Sequence, residues 1–507
     1  MDCQQDSRLS YSEKLARFCS QLQYDQLPAA AIEKVKHCFV DYLAIAFRAS
    51  CLDSSQPVRT LAKEAAGLGK ATLLGWRRPT SPYWAAFANG MAAHSLELDD
   101  TYLKGSIHNE SFLYSTALAC AEEHGLSGKR FVEAIVAGFE VACRLAEALQ
   151  PAVTNARGFH PTGTCGVVGA AAAAGKLLAL NETQFTSAIG IACSQASGLL
   201  EFVSDGSWTK RFHAGWAAHG GLTAAGLAKH GMTGPRTVLE GPFGFLHAYS
   251  GQPKLEGFDQ GLGQDYKVLQ TAMKYYPCNY YIQAVNDSVH KLNDREDLHA
   301  EEIAKVVVYT VRAASHLVCE PIAQKRNPRT MIDAQFSVPF NVALGFLAKR
   351  VTFSDFNDQM YQSAEIQRLM NLTSCEVDPV LDAQYPETWP ARVEITLKDG
   401  RMLADETQYA KGDPRNPLTQ DEVITKHKGL VSGLVDDSTD DQMLDVILRL
   451  EQQPDLSGLS GILQRLELGA TQGTVRSDLI NTPDRKRSGP CQSKNKGIDP
   501  RPPFSRG

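Results

Sequence analysis

Three segments concentrate ionisable side chains among glycine and other small residues, and each could carry acid–base or anion-binding chemistry. The first is His94-Ser95-Leu96-Glu97-Leu98-Asp99-Asp100-Thr101, followed by Ser106-Ile107-His108-Asn109. On a helix, His94, Glu97 and Thr101 would share a face with Asp100 close by, since residues three and four apart are neighbours. Three carboxylates in four positions repel one another, so they suit either a solvated helix end or a pocket whose donors offset their burial. The second segment, Arg157-Gly158-Phe159-His160-Pro161-Thr162, leads into a Gly/Ala stretch. A histidine just before a helix N-terminus lies beside free N–H groups that favour an anion; the plain alternative is a local hydrogen-bonding role. The third, Trp208-Thr209-Lys210-Arg211-Phe212-His213, sets two cations side by side. They suit carboxylates, or else form a solvent-facing basic turn. No GxSxG, Walker loop, HExxH or metal-ligand spacing occurs, so no metal or cofactor is expected.

The elements that must position these groups are mostly helices. Ala30 to Phe47 repeats apolar residues at three- and four-residue spacing, as does Phe131 to Leu149. Thr164 to Leu180 is almost all Gly, Ala and Val, so neighbouring helices must approach it closely and it should be central. Thr183 to Gln195 follows as a further helix. Near residue 265 the character changes. Ile303 to Val311 is β-branched, as in a strand, and Arg392 to Ala404 alternates and turns at Asp399-Gly400, as in a hairpin. Ala334 to Arg350 predicts a helix between them. Helical pattern returns at Leu418, where Thr419 and Glu422 form a capping box for Asp421 to His427, and Gln442 to Glu451 predicts another helix.

With 507 residues, 43% apolar and 21% charged, the chain has material for two cores. A net charge of −6 argues against a nucleic-acid binder, which usually carries a basic stripe. The 12 cysteines show no CxxC spacing and predict small core residues, not a disulfide framework. Met1 to Lys14 lacks the apolar stretch of a secretory signal, Ser505-Arg506-Gly507 is no peroxisomal address, and Gly163 to Gly175 is too short to span a bilayer. The expectation is a cytoplasmic protein with no membrane or nucleic-acid partner. Residues 482–507, basic and proline-bearing, predict a disordered tail.

Read in order, the segments resemble the MmgE/PrpD family, which includes 2-methylcitrate dehydratase and cis-aconitate decarboxylase. The likeness runs through HSLELDDT (His94–Thr101), GFHPTGTCGVVGAAAAAGKLLAL (Gly158–Leu180), TKRFHAGWAAHGG (Thr209–Gly221), YYPCNYY (Tyr275–Tyr281), RNPRTMIDAQFSVPF (Arg326–Phe340) and KGDPRNPL (Lys411–Leu418). It covers roughly residues 10 to 470. It implies a mainly α fold: a large all-helical domain, 8–265 plus 412–470, with an inserted α+β lid, 266–411. It also implies a homodimer without cofactors, acting on a small tricarboxylic acid. Carried over residue by residue, the site would use His108, His160 and Lys210 for catalysis and Glu97, Asp100 and Thr101 for binding, with Arg211 joining them on its charge beside Lys210. One departure stands out. Relatives place a histidine six residues after the proline of YPC, where this chain has Gln283, which cannot exchange a proton at neutral pH. His316 is the lid histidine that could take its place.

The resulting expectation is a lyase that dehydrates 2-methylcitrate or a longer alkylcitrate, Gln283 marking a pocket changed to admit an alkyl chain. The alternative reaction is decarboxylation of cis-aconitate or an alkylated relative to an itaconate-type product. An alternative of another class is an inactive helical binding protein. Within the site, His108 is expected to be the more basic histidine, charged by Glu97 or Asp100, and His160 the more neutral, at a helix N-terminus.

Overall fold

The computed structural model describes residues 9–296, 298–348 and 351–468. The chain opens with α1 (Tyr11–Gln21), capped by Ser10 and Glu13, whose side chains each bond the other's backbone N–H. The expected first long helix is α2 (Ala29–Ala49), whose Phe39 and Tyr42 stack with Tyr114 and Phe131 in the interior. Next come α3 (Pro82–Ala93), α4 (Asn109–His124), α5 (Gly128–Leu149), α6 (Gly166–Leu177), α7 (Glu182–Ser194) and α8 (Thr209–Lys229).

Helix α6 is the Gly/Ala helix, and every residue of it is buried. It packs against α4, α5, α7 and α8. Its small side chains are what permit this: a Cβ on Gly169 would lie 2.6 Å from that of Ala142, and one on Gly221 of α8 would lie 2.6 Å from the carbonyl carbon of Ala170. Backbones this close gain dispersion that bulkier helices would forfeit.

The sheet follows α9 (Gln283–Glu296). Strand β1 (Ile303–Thr310) runs parallel to β2 (Thr373–Val377) and antiparallel to β3 (Ala391–Leu397), which pairs with β4 (Met402–Thr407), giving the order β2-β1-β3-β4. Val393, Ile395 and Leu397 face inward and their neighbours outward, and the hairpin turns at Asp399-Gly400 with Gly400 at φ +90°. The helix expected over 334–350 divides in two, Met331–Gln335 and α10 (Val338–Leu347). Pro339 is the reason: proline lacks the N–H that a helix interior needs and is tolerated in a first turn, which here begins after the cap Ser337. The chain then returns as α11 (Gln420–Val431), with the Thr419–Glu422 capping box in place, and α12 (Asp437–Leu448).

The fold is therefore mainly α with one four-stranded mixed sheet. One apolar cluster draws on residues from Leu15 to Met273 and again from Leu418 to Leu463; a second draws on Tyr276 to Ala410. The division we propose remains a helical domain, 8–265 plus 412–470, carrying a lid, 266–411. The described cysteines are free thiols, mostly buried. Among the described residues no helix is long and apolar enough to cross a membrane. The tail expected at 482–507 lies outside the described residues.

Close helix packing makes a direct prediction. Gly221→Ala forces a methyl into the backbone of α6 and should cost about 2 kcal/mol, a fall of about 2 °C in the thermal midpoint of a chain this long. Gly429→Ala, where an added Cβ meets nothing within 4 Å, should instead raise it slightly. Calorimetry of the two variants checks the contrast.

Candidate active site

The acidic segment is not helical. Helix α3 ends at Ala93, and the chain passes through a loop in which Glu97 adopts φ +55°, a conformation costly for a side chain with a Cβ. The physical reason is electrostatic. A helix would stack Glu97, Asp99 and Asp100 within a turn, whereas the loop gives each its own set of donors, Glu97 and Asp99 sharing Lys274 between them. Glu97 pairs with Lys210 and, at 3.3 Å, with Lys274. Asp99 meets His94 Nδ1 at 2.5 Å and Lys274 at 3.8 Å. Asp100 Oδ1 accepts the Glu110 N–H at 2.8 Å. All three carboxylates are buried.

The cations come from distant elements. Lys210 and Arg211 occupy the first turn of α8, both buried. Lys274, with no exposed surface, lies between Glu97 and Asp99. The loops are tied by Lys426 of α11, which donates to the carbonyls of Leu98 and Lys274 at 3.0 and 2.6 Å and to Asp41 at 2.8 Å. Gln335, also buried, donates to the Leu96 carbonyl at 2.9 Å. Burial, with the charges of Lys274 and Arg211, holds the Lys210 pKa well below the ordinary lysine value. Burial also lowers Lys274, against the attraction of Asp99.

Four histidines gather beside this charge network. His94 stacks near His160 with ring centroids 5.8 Å apart and lies 5.1 Å from His108. His160 and His213 share a hydrogen bond between their Nδ1 atoms at 3.0 Å. His108 Nδ1 meets the Asp100 carbonyl at 2.6 Å and Thr101 Oγ1 at 3.3 Å. A carbonyl only accepts, so Nδ1 carries the proton, and a neutral ring then leaves Nε2 as an acceptor. Burial lowers the His108 pKa to about 3, overcoming the attraction of Asp99, and lowers His160 well below its ordinary value, with His213 and His94 adding to the effect. The expectation that a neighbouring acid keeps His108 charged is therefore corrected. Both are neutral at pH 7, because desolvation outweighs the nearest charges.

A cavity of about 100 Å³ opens beside the loop. Glu97, Lys210, Arg211, Lys325 and Asp333 form its polar wall, and Phe202, Leu317 and Phe336 its apolar one. Of the expected residues, Glu97, Lys210 and Arg211 line it; Asp100, Thr101, His108 and His160 belong to the network behind. Two are not brought there. The Gln283 amide is consumed by backbone: it accepts the N–H groups of Tyr275 and Tyr276 and donates to the carbonyls of Tyr276 and Cys278. His316 is exposed on a π-helical turn beside Leu317. Missed at the sequence level were His94 and Asp99 as a pair, His213, Lys325 and Lys274. The last had a visible signal, a lone lysine in Ala272-Met273-Lys274-Tyr275-Tyr276. Among the described residues no group of three or more His, Cys, Asp or Glu side chains is placed to hold a metal ion.

Buried paired lysines, neutral histidines and a cation-lined cavity are groups able to exchange protons and to attract an anion. Residues 13–257 match the MmgE/PrpD N-terminal domain and residues 276–452 the MmgE/PrpD C-terminal domain. The chain belongs to the MmgE/PrpD family. It is 26% identical to a cis-aconitate decarboxylase-like protein of Aspergillus oryzae, over 89% of this chain and 96% of that one. Identity to the cis-aconitate decarboxylase of Homo sapiens is 26%, over 90% and 95% of the two chains. With the 2-methylcitrate dehydratase of Cupriavidus necator it is 24%, over 78% and 84%.

Placing Gln283 in a backbone clamp predicts how its loss is felt. Gln283→Ala leaves buried N–H groups unpaired and should destabilise by about 2 kcal/mol. KM should stay within about twofold wherever the protein remains folded. A fall in melting temperature with KM unchanged is the expected pair of readings.

Proposed function

We propose that the chain is a cofactor-independent lyase that decarboxylates a cis-aconitate-type tricarboxylic acid to an itaconate-type product. The observation that carries this is the cavity wall on which Lys210, Arg211 and Lys325 converge. Three cations against the carboxylates Glu97 and Asp333 leave positive charge for a polyanion. In this reading the carbon–carbon bond to one carboxylate breaks, carbon dioxide leaves, and the electron pair spreads through the adjacent double bond toward a second carboxylate. The cations stabilise that charge. A proton then closes the product carbon, and Lys210 is the donor: a lysine whose pKa is lowered gives up its proton more readily than an ordinary one. The relatives named for this reaction cover nine-tenths of the chain, which favours it over dehydration, the reaction placed first from the sequence.

Dehydration of a 2-methylcitrate-type acid is the second reading. It needs a base to take a carbon-bound proton, and the Nε2 acceptor of neutral His108 supports it, as do the dehydratase relatives. An inactive binding scaffold gives no account of a lysine buried between two carboxylates. A homodimer acting in the cytoplasm belongs to the same proposal.

Purified protein incubated with cis-aconitate, 2-methylcitrate and an alkylated citrate, followed by mass spectrometry, decides between the reactions. Loss of carbon dioxide from the unsaturated acid is expected; loss of water alone would overturn the first reading. The pH dependence is also specified. The Lys210 ammonium is present below its folded pKa and lost as pH rises through it, so kcat should fall on an alkaline limb well below pH 10.5. His108, with a pKa of about 3, adds no limb between pH 5 and 8. Lys210→Met should lower kcat by about 10²-fold and remove the alkaline limb.

A further inference from the structure

His94 is a buried imidazole for which the chemistry above has no use. Its side chain and that of Asp99 have no exposed surface, and the two meet at 2.5 Å through Nδ1 and Oδ2. The ring lies between those of His108 and His160. Its other nitrogen, Nε2, is buried without a hydrogen-bond partner among the described residues. Asp99 reaches further, with Oδ2 4.0 Å from His108 Nδ1 and Oδ1 3.8 Å from Lys274. One carboxylate thus touches a member of each half of the site. Expectation had given that office to Glu97 or Asp100. Glu97 is held instead by two lysines, and Asp100 holds the backbone of Glu110.

We infer that Asp99 is the positioning residue of this site, and that it acts through His94. A carboxylate only accepts, so it fixes the proton of the His94 ring on Nδ1 and leaves a bare Nε2 on a ring packed against those of His108 and His160. When a proton enters the layer during turnover, His94 Nε2 and His108 Nε2 are acceptors for it, beside the Nε2 of whichever ring of the His160–His213 pair donates from Nδ1, and Asp99 is the carboxylate nearest to the His94 and His108 rings. No bond to carbon is made or broken by either residue. The pair decides where a proton can rest, and the orienting carboxylate is what gives an imidazole its catalytic tautomer elsewhere in enzymes.

The inference rests on the acid–base reading of the site, so its test has an arm that needs no substrate. Nitrogen-15 NMR of histidine side chains in the full chain should show one ring with a protonated Nδ1 and an unprotonated Nε2 that is missing from His94→Asn. In Asp99→Asn that ring should change tautomer or become a mixture. A His94 ring protonated on Nε2 in the wild type would overturn the proposal whether or not the enzyme turns over the acids tested. The kinetic arm uses the same variants. His94→Asn keeps the donor to Asp99 and loses the Nε2 acceptor, so kcat should fall at least about 10-fold with KM within threefold and the melting temperature nearly unchanged. Asp99→Asn should lower kcat by about 10²-fold, the scale of a lost acid–base partner. Turnover within twofold of wild type in His94→Asn, or losses in both variants that merely track the melting temperature, would reduce the pair to a packing role.

Discussion

A lysine with no exposed surface sits between two carboxylates, and the geometry of the site follows from that placement. Lys274 between Glu97 and Asp99 is a charge the interior tolerates only because opposite charges flank it, and the carboxylates are tolerated for the same reason. Remove it and the loop from His94 to Thr101 would hold buried anions with fewer counter-charges. The departure from helix at Ala93, the left-handed Glu97 and the splitting of three acids among different donors all serve this arrangement. Lys210 extends it to the cavity, and Asp99 extends it to the histidines. From cavity wall to histidine layer the order is lysine, glutamate, lysine, aspartate, histidine, an alternation of charge ending in neutral rings.

Desolvation does the rest. Each histidine of the layer is held below its ordinary pKa first by burial, with nearby cations or imidazoles adding to the effect and, at His108, Asp99 opposing it. Neutral imidazoles are adaptable: each offers one donor and one acceptor, and which nitrogen is which is set by whatever the other one touches. A site of this kind has its acid–base character written in hydrogen bonds to carbonyls and carboxylates.

Much of the scaffold was legible because periodic patterns are local. The Gly/Ala stretch announced a central helix, and Thr419 with Glu422 announced the cap of α11. The break at Pro339 was equally visible but was read through. The site was legible only in part. Glu97, Lys210 and Arg211 line the cavity as expected, since cations and acids among small residues advertise themselves. Lys274 did not, because a lone lysine looks like a surface residue until the fold closes over it. Gln283 misled for the opposite reason. Its position in a motif suggested chemistry, while its amide serves the backbone of Tyr275 and Tyr276, a role that no linear pattern reveals.

Lys426 carries a consequence for the order in which the molecule is made. Its ammonium holds the carbonyls of Leu98, 328 residues earlier, and Lys274, 152 residues earlier. The chain must therefore be made through α11 before this further tie, from Lys426 to both loops, can form. Before that, the acidic loop and the Lys274 segment are held by the two backbone hydrogen bonds that Thr101 and Ala272 exchange, at 2.8 and 3.0 Å, and by the ion pairs of Lys274, while the distant contact to α11 closes late. The two loops thus carry their acids and Lys274 as one joined piece, which Lys426 then braces from α11. A chain cut short before α11 would keep the residues of the Thr101–Ala272 pairing and lack the brace that Lys426 adds, along with its bond to Asp41.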